Sequence, residues 1–199
     1  MSSLDLLANQ LHALDLNLDD AVIRGLGGYI RILEHWNRTI NLTGLRGAEL
    51  VRRLVAEPLW VAARLAPAGS YLDIGSGNGS PAIPWLLACG FDRADLVESR
   101  MRRAVFLRRT AAELGLGHAH VHCARFDEFL DGPDSEAVAP GWVTLQGVRL
   151  TRELMDEIAR AGGVGTRIVW LTKDPAPPLP PLETLQIPNS DRCAVVFQV

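Results

Sequence analysis

The chain contains a single lysine, Lys173, although it carries 20 lysine and arginine residues in all. Positive charge therefore rests almost entirely on arginine. The planar guanidinium suits bidentate contact with phosphates and guanine edges, and a GC-rich genome produces the same bias. The net charge of −3 argues against a surface coated in positive charge, but leaves room for a local basic face. Cysteine is also scarce. Cys89, Cys123 and Cys193 are odd in number, far apart and set among apolar residues. They are expected as buried thiols of a reducing cytoplasm, not as a disulfide frame or metal site. No apolar run approaches the roughly 20 residues of a membrane span. The start, Met-Ser-Ser-Leu-Asp, has neither the basic stretch nor the apolar block of a signal peptide. A cytoplasmic protein without a membrane partner is expected. The histidines lack ligand spacing: His118, His120 and His122 alternate along one face of a strand, as on a solvated or edge strand, and no metal is expected. What remains is 199 residues with 48% hydrophobic content, enough for one domain with a real core.

Apolar spacing predicts helices over 4–14, 19–37 and 47–65, with Gly25, Gly27 and Gly28 weakening the second and Pro58 kinking or breaking the third. This first part, 1–66, reads as a helical cap on a core spanning 67–199. From Ser70 strands and helices alternate. Strands are predicted at 70–74, 94–98, 119–123, 142–146 and 166–172, and helices at 81–89, 101–115 and 151–161, with a turn or short helix at 126–130. Such alternation implies an α/β fold with a mostly parallel sheet. Leu182–Ile187 and Ala194–Val199, joined by Pro-Asn-Ser-Asp, form a hairpin pattern. Gly132–Gly141 and Asp174–Pro181 are predicted loops.

The most informative stretch is Tyr71–Ser80, where a short apolar strand runs into Gly75, Gly77 and Gly79. Glycine lets the backbone approach a ligand without a Cβ in the way. A second strand ends in Glu98, an acid placed to accept hydrogen bonds from two ribose hydroxyls. The pairing points to a nucleoside-bearing ligand. The spacing is G-x-G-x-G, not the G-x-G-x-x-G that cradles a pyrophosphate, which counts against a nicotinamide-dependent oxidoreductase.

With Asp73 ahead of the glycines, D-x-G-x-G-x-G resembles motif I of class I S-adenosyl-L-methionine (SAM) methyltransferases. Further stretches resemble one family of them. Trp36-Asn37-Arg38-Thr39-Ile40-Asn41-Leu42-Thr43 is similar to its W-N-x-x-x-N-L-T. Gly75-Ser-Gly-Asn-Gly-Ser-Pro-Ala-Ile-Pro84 is similar to G-x-G-x-G-x-P-G-I-P. Leu96-Val-Glu-Ser99 followed by Arg102, Arg103, Phe106 and Leu107 is similar to L-x-D-S…K-R…F-L. Arg125-Phe-Asp-Glu128 is similar to R-x-E-E, and Val148-Arg149 with Leu154 to S-R-A…L. The family is the bacterial 16S rRNA guanine-N7 methyltransferase G, also called glucose-inhibited division protein B.

That resemblance implies a class I Rossmann-like fold of seven strands with a C-terminal antiparallel hairpin. It implies SAM as donor, S-adenosyl-L-homocysteine as product, and 16S rRNA or the 30S subunit as partner; a monomer is expected. Gly75, Gly77 and Gly79, with Ser76 and Ser80, would lie against the methionine and ribose of the donor. Asp73 would meet its amino-acid end, or cap the following turn. Glu98, followed by Ser99, would hold the ribose hydroxyls, or cap helix 101–115. Phe126 and Asp127 would flank the adenine, or merely start a short helix. Arg125 and Arg149 are the substrate-side candidates, each otherwise a surface ion pair. Arg100, Arg102, Arg103, Arg108 and Arg109 offer a basic helix face to RNA or to solvent, and Trp36 is expected in the core. The chain departs from the family pattern at Ala82, Glu98, Val148 and Thr172-Lys173-Asp174, and strand 142–146 lacks an Asp. A small-molecule SAM methyltransferase, or a SAM-binding protein with reduced or lost activity, are the alternatives.

Overall fold

A computed structural model describes residues 2–133, 139–173 and 175–199. Parts of both predicted loops, 134–138 and 174, lie outside the described residues. Seven strands form one sheet in the order β3-β2-β1-β4-β5-β7-β6. They are β1 (Ala68–Ile74), β2 (Gly90–Val97), β3 (Ala119–His122), β4 (Trp142–Gln146), β5 (Arg167–Thr172), β6 (Glu183–Gln186) and β7 (Cys193–Gln198). Strands β1 to β5 are parallel; β7 runs antiparallel between β5 and β6. The α/β architecture and the terminal hairpin are as the alternation predicts. Helices are α1 (Ser3–Ala13), α2 (Asp20–Trp36), α3 (Gly47–Val51), α4 (Glu57–Leu65), α5 (Ala82–Ala88), α6 (Met101–Glu113), α7 (Phe126–Leu130) and α8 (Arg152–Gly162).

The sheet separates two apolar layers. On one face Tyr71 packs with Leu26, Ile30 and Leu33 of α2, Val61 of α4 and Trp85 of α5. On the other, Leu72, Ile74, Val143 and Leu145 meet Met155 and Ile158 of α8. Central strands buried on both faces read as apolar runs, and those runs produced the strand expectations. Helix α2 is unbroken despite its glycines. A Cβ at Gly25, Gly27 or Gly28 would come within 2.8, 2.6 and 2.9 Å of Leu87, Leu4 and Leu114 side chains, so close helix packing is what these glycines permit. Trp36 is half-buried, not fully in the core, and meets Phe106 edge-on at 5.9 Å. Of the three cysteines only Cys193 is buried; Cys89 and Cys123 are half-exposed, because each lies just past the end of its element. His120 and His122 lie on the sheet-edge strand β3 and His118 just before it, and His122 Nε2 is 2.8 Å from Asp95 Oδ1.

Residues 47–65 are helical throughout, yet Arg52–Ala56 form a π-helical turn between α3 and α4. Pro58 has no N–H to continue the ladder. The helix adjusts by widening, and the Glu57 N–H bonds back to Arg52 O, five residues away. The π turn leaves the Glu57 carboxylate almost wholly buried. There it meets Arg192 Nη1 and Arg52 Nη1, both at 3.3 Å, and accepts a 2.8 Å hydrogen bond from Ser190 Oγ. This cluster ties the N-terminal helices to the turn before β7. Glu57→Ala would strand Arg192 without its carboxylate, a loss of about 3–5 kcal/mol for a buried pair broken on one side. Urea unfolding of the variant is expected to show that drop; a change under 1 kcal/mol would mean that water compensates Arg192.

Candidate functional site

The glycine turn, Glu98, Arg125 and Arg149 lie at the C-terminal edge of the parallel strands, where ligands of open α/β sheets bind, whereas Arg108 and Arg109 lie further along α6, bonded to Val121 O and Glu113. Gly75 follows β1, Glu98 follows β2, Arg125 follows β3, and Arg149 follows β4. Gly75, Gly77 and Gly79 have φ of +74°, +51° and +88°, conformations glycine adopts without strain. The donors of this turn are spent internally. The N–H groups of Gly75 and Ser76 donate to Val97 O at 2.9 and 3.1 Å, and that of Gly79 to Ser76 O at 2.7 Å. The Gly77 N–H donates to Glu98 Oε2 at 2.9 Å and the Ser80 N–H to Asn78 Oδ1 at 3.0 Å. The turn is therefore no anion nest, in keeping with a ligand that carries no phosphate there. Tyr29 of α2 pins it from the other side, its hydroxyl donating to Asn78 O at 2.9 Å.

Glu98 is buried, and its second oxygen accepts the Arg100 N–H at 2.8 Å. It thus anchors the start of α6 as well as the turn, so the two alternatives raised for it are not exclusive. Each carboxylate oxygen has a further lone pair, which leaves capacity for ribose hydroxyls. Ser76 Oγ donates to Asp73 O at 3.1 Å, whereas the buried Ser80 Oγ has no partner among the described residues. Asp73 is buried beside Tyr71 and Thr144. Thr144 Oγ1 donates to Asp73 Oδ1, and the Tyr71 hydroxyl lies 2.6 Å from Thr144 Oγ1. Asp73 Oδ2 has no hydrogen-bond partner among the described residues. Burial in particular pushes the Asp73 carboxyl up to about 6; the hydroxyls of Thr144 and Tyr71 and the Ser76 contact oppose this, while nearby Glu98 adds to it. Thr144 and Tyr29 had no motif to announce them, since each acts through a neighbour brought by folding.

Two cavities meet here. The smaller, about 300 Å³, is walled by Gly75, Val97, Ser99, Phe126, Asp127 and Val148. The larger, about 1020 Å³, contains Val148, Arg149 and Trp170 together with Leu54 from the π turn. Val148 lines both. A Cβ on Gly75 would stand 2.6 Å from Val148 Cγ2, so the valine rests directly on the glycine. The Val148 carbonyl accepts the Trp170 Nε1–H at 3.0 Å, which fixes the loop after β4. The two predicted arginines do not share a cavity. Arg125 edges the smaller one and Arg149 the larger. Their strands stand three places apart in the sheet, about 14 Å at ~4.8 Å per strand. Arg125 Nε is 3.1 Å from Asp127 Oδ1, both exposed; each holds the other in its charged form, Asp127 below the usual carboxylate range. Arg149 is exposed and makes no hydrogen bond or ion pair among the described residues. Asn37 secures the neighbouring loop, accepting the N–H groups of Leu42 and Thr43 at 2.8 and 3.0 Å and donating to Thr43 O at 2.9 Å.

The residues present fit SAM: a glycine turn whose Gly75 borders the smaller cavity, a buried acid with spare lone pairs in Glu98, an apolar slot beside Phe126, and in Asp73 Oδ2 a buried acceptor lacking a donor. Together with the strand order they define the class I SAM-methyltransferase fold. A solved variant of MtNAS in complex with S-adenosylmethionine shares it at TM-score 0.60 and 17% identity, over 96% of this chain and 79% of that one. The C-terminal domain of precorrin-6Y C5,15-methyltransferase from Rhodobacter capsulatus does so at 0.52 and 21%, over 79% and 92%. The GidB family, described as rRNA small subunit methyltransferase G, matches residues 23–164, and the chain belongs to it. Relatives named ribosomal RNA small subunit methyltransferase G are 35% identical in Halorhodospira halophila (72% of this chain, 70% of theirs) and 38% in Stenotrophomonas maltophilia (75% and 69%). Among the described residues no helix is long and apolar enough to cross a membrane.

The Asp73 shift has a consequence for stability. A carboxyl whose folded value lies near 6, against 3.8 when exposed, favours folding in its protonated form. Stability is then fully present below pH 4 and declines as pH rises through 6, by about 3 kcal/mol at 1.36 kcal/mol per unit. In Asp73→Asn this decline is expected to vanish, so the variant gains on the parent between pH 4 and 7 in urea unfolding. Parallel pH profiles would contradict the buried, donor-poor carboxylate.

Proposed function

We propose that the chain is a SAM-dependent methyltransferase of 16S rRNA that acts on guanine N7, as a cytoplasmic monomer. The observation that supports this reading is the pair of cavities that share Val148, one bordered by Gly75, Ser99, Phe126 and Asp127 and the other by Arg149. When bound, SAM supplies a methyl group on an electrophilic sulfonium. Guanine N7 has an in-plane lone pair and needs no base to create a nucleophile, so the protein's work is alignment and exclusion of water. Gly75 and Gly77 give the donor its seat, while the bare side of Gly79 lets the turn close onto Ile83 and Tyr29, with Ser76 and Ser80 in the same turn. Glu98 takes the ribose hydroxyls, with Ser99 beside it. Phe126 lies against the adenine and Asp127, steadied by Arg125, faces its edge. Asp73 Oδ2 accepts from the donor's ammonium, directly or through water.

On the acceptor side Arg149 donates to guanine O6, leaving N7 free. Arg125 lies nearer the donor and serves the rim of the adenine slot. Val148 fills the space between donor and acceptor with apolar atoms, which keeps water from the transfer path.

The test is label transfer from radiolabelled SAM to 30S subunits and to naked 16S rRNA, followed by chemical cleavage at N7-methylguanosine. Label in RNA that maps to a cleaved guanosine supports the reading; tight SAM binding without label counts against it. Arg149→Ala is expected to lower kcat/KM about 100-fold, the loss of a charged hydrogen bond of roughly 3 kcal/mol, with SAM affinity by calorimetry unchanged. A parent-like rate would remove Arg149 from the acceptor site.

A further inference from the structure

The larger cavity is lined by further cations that are not used in the transfer itself. Arg53 from the π turn, Lys173 after β5 and Arg192 before β7 all reach it, from segments far apart in the chain. Asp191 holds two of them, with Oδ1 3.0 Å from Arg53 Nη1 and Oδ2 3.0 Å from Lys173 Nζ. Asp191 is itself exposed and does not line the cavity, and Lys173 and Arg53 keep its carboxyl ionised, down to about 2. The Arg53 contact is close but out of line: Nη1 is buried and has no well-directed acceptor. Its Nε is satisfied by Glu49 Oε1 at 2.9 Å. Arg192 is committed to Glu57 and to Arg53 O. Glu49, Glu153 and Arg152 also line the cavity, so its charge is mixed, but the shared Asp191 contact brings Arg53 and Lys173 together.

We propose that Arg53 and Lys173 form a subsite for one backbone phosphate of the RNA substrate, and that Asp191 occupies it as a displaceable counter-ion in the free protein. This rests on the RNA-methyltransferase reading above. A phosphate carries more acceptor oxygens than a single carboxylate oxygen and can meet the misaligned Arg53 N–H groups while also contacting Lys173. The same cavity is lined by Arg149 and Val148, so a phosphate here would fix the strand whose guanine faces the donor.

The two exposed partners of one ion pair make opposite predictions. Binding is read by fluorescence anisotropy with a fluorescein-labelled, guanosine-containing single-stranded RNA. Asp191→Asn removes the competing anion and is expected to tighten binding about threefold to tenfold, in the range of one charge contact near the surface. Lys173→Ala is expected to weaken binding similarly and to lower the slope of log K against log salt by about 0.7. SAM affinity by calorimetry stays at the parent value in both. A purely structural ion pair would shift both variants the same way, and that result overturns the proposal. So does binding within twofold of the parent in both, or an effect confined to SAM, whose carboxylate would then be the anion held. Because the readout is binding, absence of label transfer by the parent would count against the proposed reaction while leaving this test decisive.

Discussion

The Glu98 carboxylate is the constraint on which the site depends. One oxygen holds the Gly77 N–H and the other the Arg100 N–H, so a single side chain at the end of β2 fixes the turn after β1 and the start of α6. Such charge-assisted bonds to backbone are among the stronger ones available. Tyr29 grips the same turn from the helical layer through Asn78 O. A loop held from both sides has few donors left to offer. What it offers a ligand is shape, and what Glu98 offers is acceptance. A glycine turn that has spent most of its N–H groups would suit, under the proposed reading, a nucleoside with hydroxyls and a cation better than a pyrophosphate.

The order of elements was legible because central strands must be apolar on both faces and helices on one, so the period changes where the element does. The turn was legible for a local reason: glycines at Gly75, Gly77 and Gly79 leave a mark in the chain itself. Other features have no local mark. The π turn arises from Pro58 acting on carbonyls earlier in the helix, and spacing pointed to a kink there and not to a widened turn. Cys89 and Cys123 sit among apolar neighbours in sequence but at element ends in space, so local surroundings overstated their burial. The separation of Arg125 from Arg149 follows from strand order, which places β2 and β1 between their strands. Thr144 matters because it pairs with Asp73 across the β1–β4 register, a relation that no motif records.

Val148 shows how one departure from a family pattern can be read physically. Valine is stiff at χ1, and its methyl contacts the bare Gly75. In a slot where a sulfonium would meet a neutral base, an apolar wall leaves no polar group unpaired and excludes water. Its carbonyl, bonded to Trp170, keeps the wall in place without lending a donor to the path. The substitution is compatible with transfer for that reason, since the reaction needs alignment and dryness more than it needs a hydroxyl.

Charge conservation then decides where cations can stand. The proposed transfer moves a positive charge from sulfur to the guanine ring, so any uncompensated cation near the acceptor opposes product formation. Arg53, Lys173 and Arg192, which have no proposed bond to the base, line the same cavity as Arg149. Left bare, they would raise the barrier through repulsion that grows as the surroundings lose water. Glu57 and Asp191 neutralise part of this in the free protein. An RNA backbone brings its own negative charge with every nucleotide, and in taking over from Asp191 it would keep the wall neutral while the base becomes a cation. A neutral small molecule could not do this. The same cationic wall that would hinder methylation of an isolated base therefore becomes an orienting surface when the base arrives attached to its phosphates.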